Sequence, residues 1–184
     1  MLQMGWKRRL FTKSRHKTQY NFRFKGRNNS RVSSIIKTYI EVTQECVDAI
    51  KGHIQITGNE DCGILMGSII TENLIRVNKI SDSLSKKQSS KTCCCELDRA
   101  KANAFITTDY ERSNHTRVYI GEWHTHPEDF PSPSTVDVSS IKNSFKRNEL
   151  PFKDCILMVI IGRKEIYWGL YNGSVLKKMT PRVV

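Results

Sequence analysis

The chain has 184 residues, 38% of them apolar, and its 30 basic against 18 acidic side chains leave a net charge of +12. That length suits one domain with an appendage rather than several domains. No apolar run approaches the roughly 20 residues that span a bilayer, which excludes a helical membrane protein and leaves the cytoplasm as the expected compartment.

The positive charge is not spread evenly. Residues 1–34 hold ten basic side chains, from Lys7 to Arg31, and no acid, so the remaining 20 basic and 18 acidic residues nearly balance. Trp6, Phe11, Tyr20, Phe22 and Phe24 are interleaved with these charges. The segment reads as a solvated basic arm. Contact with nucleic acid, through stacking and phosphate pairing, is the second reading of the same residues. The arm has no apolar stretch after Arg9, so it does not read as a secretory signal.

Ser34 to Val42 then reads as a strand. Thr43 to Ile54 reads as a helix, with Thr43 as N-cap and Cys46, Val47, Ile50 and Ile54 at helical spacing. Cys62–Ile70 and Leu74–Ile80 read as strands joined by a tight turn. Ser81–Cys95, rich in Ser and Lys, reads as a flexible loop and is a candidate for substrate contact. Leu97–Ser113 predicts a long helix, with Leu97, Ala100, Ala104 and Tyr110 near one face. Arg117–His126 predicts a strand, Pro127–Pro133 a loop and Ser134–Phe145 a helix. Ile156–Ile161 and Glu165–Tyr171 predict a hairpin, and the turn signal Asn172-Gly173 leads to a last strand, Ser174–Met179. Strands and helices alternate as in a single α/β or α+β domain. The six cysteines (Cys46, Cys62, Cys93, Cys94, Cys95 and Cys155) form no C-x-x-C pair, and the expectation is reduced thiols.

The chemistry lies around the end of the Arg117–His126 strand. On an extended chain His124 and His126 project from one face, about 6–7 Å apart at the backbone. Pro127 ends the strand because it has no N–H to donate. Ser134 suits the N-cap of the next helix, which places Asp137 in its first turn. Two imidazoles and one carboxylate, with a fourth position left for water, form the ligand pattern of a catalytic zinc ion. H-x-H alone is a weak signal; H-x-H, seven residues, Ser, two residues, Asp is far more specific. Hydrolysis also needs a carboxylate that accepts a proton and returns it to the leaving group. Glu122, on the histidine face, and Glu60, ahead of the Cys62 strand, are both candidates, and spacing does not choose between them.

His124-Thr125-His126 with Ser134 and Asp137 resembles the signature of the JAMM metalloproteases, also called JAB1/MPN/Mov34 or MPN+. That family carries an upstream glutamate in a Glu-Thr-Gly-Gly-aliphatic-Leu-Leu-Gly setting. Here Glu60-Asp61-Cys62-Gly63-Ile64-Leu65-Met66-Gly67 takes its place, with departures at Asp61, Cys62 and Met66. The resemblance implies zinc held by His124, His126 and Asp137, Glu60 as general base and then general acid, and Ser134 as oxyanion donor. It therefore selects Glu60 over Glu122. It also implies the cytidine-deaminase-like α/β fold of the MPN (JAB) domain, a curved mixed β-sheet flanked by helices, over residues 35–184.

The longer string Tyr119-Ile120-Gly121-Glu122-Trp123-His124-Thr125-His126-Pro127 is similar to a bacterial subset, the JAB deconjugating peptidases of CBASS antiphage operons. The helix over Leu97–Ser113 fits that subset too. By that resemblance the substrate is a conjugate of a cGAS-like nucleotidyltransferase, cut at the bond between its C-terminus and a target amine. A JAB peptidase of another ubiquitin-like or sulfur-carrier pathway is the alternative. A non-catalytic MPN scaffold fits less well, because such scaffolds lack ligands that this chain retains.

Overall fold

A computed structural model describes residues 37–86, 95–148 and 150–184. The basic arm, with its expected nucleic-acid contact, lies outside the described residues, as do Cys93 and Cys94. The elements in chain order are β1 (Tyr39–Val42), α1 (Gln44–Lys51), β2 (Cys62–Thr71), β3 (Leu74–Ile80), α2 (Arg99–Arg112), β4 (Val118–Thr125), α3 (Thr135–Arg147), β5 (Ile156–Ile161), β6 (Ile166–Tyr171), β7 (Leu176–Lys178) and β8 (Arg182–Val183). The eight strands form one curled mixed sheet in the order β7-β6-β5-β4-β2-β3-β1-β8. β4 runs parallel to β5 and antiparallel to β2.

The apolar run of β5 shows why both sheet faces are covered. A strand that is apolar at every position must bury both sides. Leu157, Val159 and Ile161 join the core that holds Cys46 and Ile50 of α1. Ile156, Met158 and Ile160 face Ile141 and Phe145 of α3. β2 divides in the same way: Leu65 packs on the α1 side, while Ile64 and Met66 meet Ala102, Phe105 and Ile106 of α2. The chain is thus an α/β sandwich, with α1 on one face and α2 and α3 on the other. Thr43 caps α1 by accepting the Cys46 N–H, and Gly52 ends it earlier than the expected Ile54.

Three expectations need correction. The buried face of α2 is Ala102, Phe105, Ile106 and Asp109, whereas Ala100 and Ala104 are exposed. Small alanines gave a misleading stripe, and the larger residues decide which side meets the sheet. The reading of Ser81–Cys95 as a flexible loop fails over Ser81–Lys86. The Leu84 N–H donates to the Cys62 carbonyl at 2.8 Å, and the Asp98 N–H donates to Leu84 at 2.7 Å. A bridge between Ser85 and Leu97 lies between these bonds. Those bonds bring Cys95 alongside β2, where it forms a disulfide with Cys62, so two of the six cysteines are not reduced thiols. Closing a 33-residue separation contributes about 3–4 kcal/mol in the chain-entropy account. Cys46 and Cys155 are free and buried, and burial pushes the Cys46 thiol up to about 12. Finally, β8 was not foreseen. Two residues carry no pattern of their own; they pair in parallel with β1, and Arg182 joins Arg76 on the Glu41 carboxylate.

Asp109 holds α2 to the sheet. It accepts Arg117 Nε at 2.8 Å and Nη2 at 2.7 Å, and Lys79 Nζ at 3.0 Å, while itself only 1% exposed. Burial alone would raise its carboxyl, but the two cations hold it below the ordinary value. Asp109→Ala leaves both cations without their carboxylate partner. We expect a loss of about 2–3 kcal/mol in chemical denaturation, below the fully buried range because both partners reach solvent. A depressed native pKa gives stability that is complete above the unfolded value and is lost as pH falls through the native one. The gap between wild type and variant should therefore narrow as pH drops below about 4.

Candidate active site

The site forms where β4 ends. Trp123 is fully buried on the α1 side of the sheet, which turns its neighbours Glu122 and His124 toward α2 and α3. Gly63 lies opposite Trp123 in β2, and a Cβ there would stand 2.5 Å from the indole Nε1. Gly121 is equally confined, because a Cβ would stand 2.2 Å from the Leu157 carbonyl of β5. His124 pairs across β2 with Cys62. The His126 N–H donates to the Ile161 carbonyl at 3.0 Å, which fixes the second imidazole just beyond the strand.

Thr125, between the two histidines, is fully buried and points away from them. Its hydroxyl oxygen accepts the Asp61 N–H at 2.8 Å, and its own N–H donates to the Asp61 carbonyl at 2.9 Å. Its O–H donates to Gln55. These bonds hold Asp61, and with it Glu60, against the end of β4. The Asp61 carboxylate accepts Ser83 and Ser85, so the segment before α2 is tied to the same point.

α3 supplies the third wall. Ser134 Oγ accepts the Asp137 N–H at 3.2 Å, and Asp137 Oδ2 accepts the Ser134 N–H at 2.7 Å. This reciprocal capping box fixes the carboxylate at the positive end of the helix. Asp137 Oδ1 lies 3.3 Å from His124 Nε2, and Oδ2 lies 3.4 Å from His126 Nε2. Glu60 Oε1 stands 3.9 Å from His126 Nε2. One ligand atom from each of His124, His126 and Asp137 falls within 4.8 Å of the others.

The donor set fits a divalent metal. His124 Nε2 is buried without a hydrogen-bond partner although it faces Asp137, while His126 turns Nε2 into the cluster and Nδ1 toward Glu128, 3.9 Å away. A buried nitrogen without a partner is costly, and coordination would satisfy it. Burial would raise the Asp137 carboxyl, yet the imidazoles of His124 and His126 and the Ser134 cap hold it well below the carboxylate range. Asp137 in turn raises His126, against the effect of burial. Burial raises Glu60, opposed by His126 and His124 and aided by Asp137 and Glu128.

The structure thus gathers Glu60, His124, His126 and Asp137 into one cluster. Ser134 stands exposed at its mouth; its oxygen is used in the cap, and its O–H is left to donate. Glu122 lies one pleat further along β4. Thr125 and Asp61, which position Glu60, escaped the sequence reading. The one local signal was a hydrogen-bonding residue between two histidines. Glu60, Glu122, His124 and Asp137 line one end of a groove of about 650 Å³ between α2 and α3, and the Cys62–Cys95 disulfide lines it too. Among the described residues, no helix is long and apolar enough to cross a membrane.

Residues 43–171 match the family described as prokaryotic homologs of the JAB domain. A protein of Vibrio cholerae serotype O1 named "CD-NTase/cGAS isopeptidase" is 35% identical over 112 residues, covering 60% of this chain and 66% of that one. A protein of the same name from Escherichia coli is 40% identical over 75 residues, covering 41% and 45%. A third, from Pseudomonas aeruginosa, is 31% identical over 143 residues, covering 75% and 86%. The chain therefore spans less than two thirds of the length of the first two. The solution structure of protein DSY2949 from Desulfitobacterium hafniense superposes with a TM-score of 0.55 at 20% identity, covering 79% of this chain and 91% of that one. That likeness concerns the fold alone.

The cluster predicts one bound metal per chain. His124→Ala, His126→Ala and Asp137→Ala should each reduce the metal content of purified protein from about one equivalent to near zero by elemental analysis. Because His126 must be neutral to bind metal and Asp137 favours its protonated form, uptake should weaken as pH falls below neutrality. Full occupancy in any of the three variants would exclude that residue as a ligand.

Proposed function

The chain belongs to the prokaryotic homologs of the JAB domain, and from that membership we propose that it is a zinc-dependent isopeptidase. The substrate we assign is a conjugate in which the C-terminus of a cGAS-like nucleotidyltransferase is joined to an amine of another protein. Its cleavage would reverse conjugation in CBASS antiphage signalling. The names of the three relatives support the substrate class. The observation that carries the activity is the placement of the Glu60 carboxylate 3.9 Å from His126, beside a His-His-Asp cluster in which His124 Nε2 is buried without a hydrogen-bond partner. We place the peptidase domain within residues 35–184 and the basic arm outside it.

When bound by His124, His126 and Asp137, zinc supplies Lewis acidity for water activation and carbonyl polarisation. The chain's own residues account for the rest. Glu60, whose raised carboxyl lies closer to neutrality than an ordinary one, takes the proton of the attacking water. It then passes that proton to the leaving amine, which without it is a poor leaving group. The bonds from Thr125 to Asp61 keep Glu60 in place for both transfers. The free O–H of Ser134 donates to the oxygen on which negative charge develops, and the capping box holds that hydroxyl steady beforehand.

A cGAS-like nucleotidyltransferase carrying a reporter on its C-terminus should be cut at the junction by wild type and not after treatment with a chelator. Glu60→Gln should retain its zinc while turnover falls by about 10²–10⁴-fold. Unchanged turnover in the zinc-loaded variant would remove Glu60 from the mechanism.

A further inference from the structure

We propose that Glu122 is a specificity-determining residue: it forms the floor of a subsite next to the metal cluster that takes a basic side chain of the substrate polypeptide. This rests on the peptidase reading of the same groove.

The geometry starts from an irregularity in β4. Its pairing with β2 shifts register between Leu65 and Met66, so that Leu65 faces Gly121 and Met66 faces Tyr119, which leaves Ile120 as an extra residue. Such a bulge changes which residues share a face. Tyr119 and Glu122, three apart, therefore project on the same side as His124. The Tyr119 hydroxyl donates to Glu122 Oε1 at 3.1 Å, and the Asn148 amide donates to the Tyr119 oxygen at 3.3 Å. This relay fixes the carboxylate in the floor of the groove. Burial and the neighbouring Glu122 push the Tyr119 phenol far above its ordinary value, so its proton stays available to donate.

What Glu122 lacks is a counter-charge. Among the described residues it has no cation within ion-pair distance and no second hydrogen bond. Arg147 lines the same groove, but its guanidinium donates to Ser144 Oγ at 3.3 Å. A partly buried carboxylate with one neutral partner is incompletely compensated, and a charge-assisted bond from a bound cation would complete it. The position suits a substrate side chain. Glu122 and His124 are two residues apart on one strand face, about 6–7 Å, which is also the same-side spacing of an extended polypeptide. A substrate that presents its scissile carbonyl at the cluster can thus place a neighbouring Lys or Arg over Glu122. Half-burial and contact with the groove distinguish Glu122 from the exposed acids elsewhere on the chain.

The test uses zinc-loaded full-length protein and quenched peptides in which each position flanking the scissile bond carries Lys, norleucine or Glu. Wild type should favour Lys over norleucine by about tenfold at one position, mainly through KM. Glu122→Gln, which keeps the bond from Tyr119, should abolish that ratio at that position, and Glu122→Lys should turn the preference toward Glu. Glu122→Asp, for use should the amide variant fail to fold, should retain a weaker preference for Lys. Equal losses on Lys and norleucine peptides, or a Lys preference that survives in Glu122→Gln, would overturn the assignment and leave Glu122 a structural residue. Fluorescence anisotropy with the same labelled peptides separates the two readings. If no peptide is cleaved, cleavage of the nucleotidyltransferase–reporter fusion decides the peptidase reading, and the subsite stands or falls on whether peptide binding depends on both Lys and Glu122.

Discussion

The pairing of β2 with β4 is the constraint on which the site depends. It sets Cys62 opposite His124 and lets the Thr125 side chain reach back to Asp61. Glu60 lies more than sixty residues from the histidines in sequence, yet the Thr125–Asp61 bonds hold it beside them. The same pairing buries Trp123 on one face and turns His124 toward the other. Shifting the register by one residue would exchange those faces, placing the imidazole in the apolar core and the indole in the groove. Gly63 and Gly121 protect the register, because a side chain at either would collide with the neighbouring strand.

The parts of the site that are local in sequence were legible there. His124 and His126 share a face through strand alternation, and Ser134 with Asp137 forms a capping box whose spacing is its own signature. Glu60 was legible only through family resemblance, since its approach to His126 is set by strand pairing and not by spacing. The bulge at Ile120 could not be read, because simple alternation places Tyr119 and Glu122 on opposite faces. The Cys62–Cys95 disulfide was hidden for a related reason. The bonds that bring Cys95 to β2 run through a Ser- and Lys-rich segment that looks like plain loop. Long elements with both faces buried, such as β5, were read correctly because an unbroken apolar run leaves few alternatives.

The energetics of the site differ from those of the surrounding fold. Around Asp109 and Glu41, carboxylates meet arginines and lysines in nearly complete hydrogen-bond sets. At the end of β4, His124 Nε2 has no hydrogen-bond partner and Glu60 approaches His126 no closer than 3.9 Å, while Asp137 is held ionised by neighbours that themselves need a proton or a metal. The chain carries this local deficit at the end of a central strand paired on both sides, which is the arrangement expected where binding energy is gained on loading with a ligand.

X-ray absorption at the zinc edge of the purified protein tests the central claim most directly. The account predicts about one zinc per chain, with nitrogen and oxygen neighbours at about 2.0–2.2 Å and an imidazole scattering pattern that is lost in His124→Ala. Sulfur neighbours at about 2.3 Å, or an unchanged spectrum in that variant, would place the metal on the cysteines and contradict it.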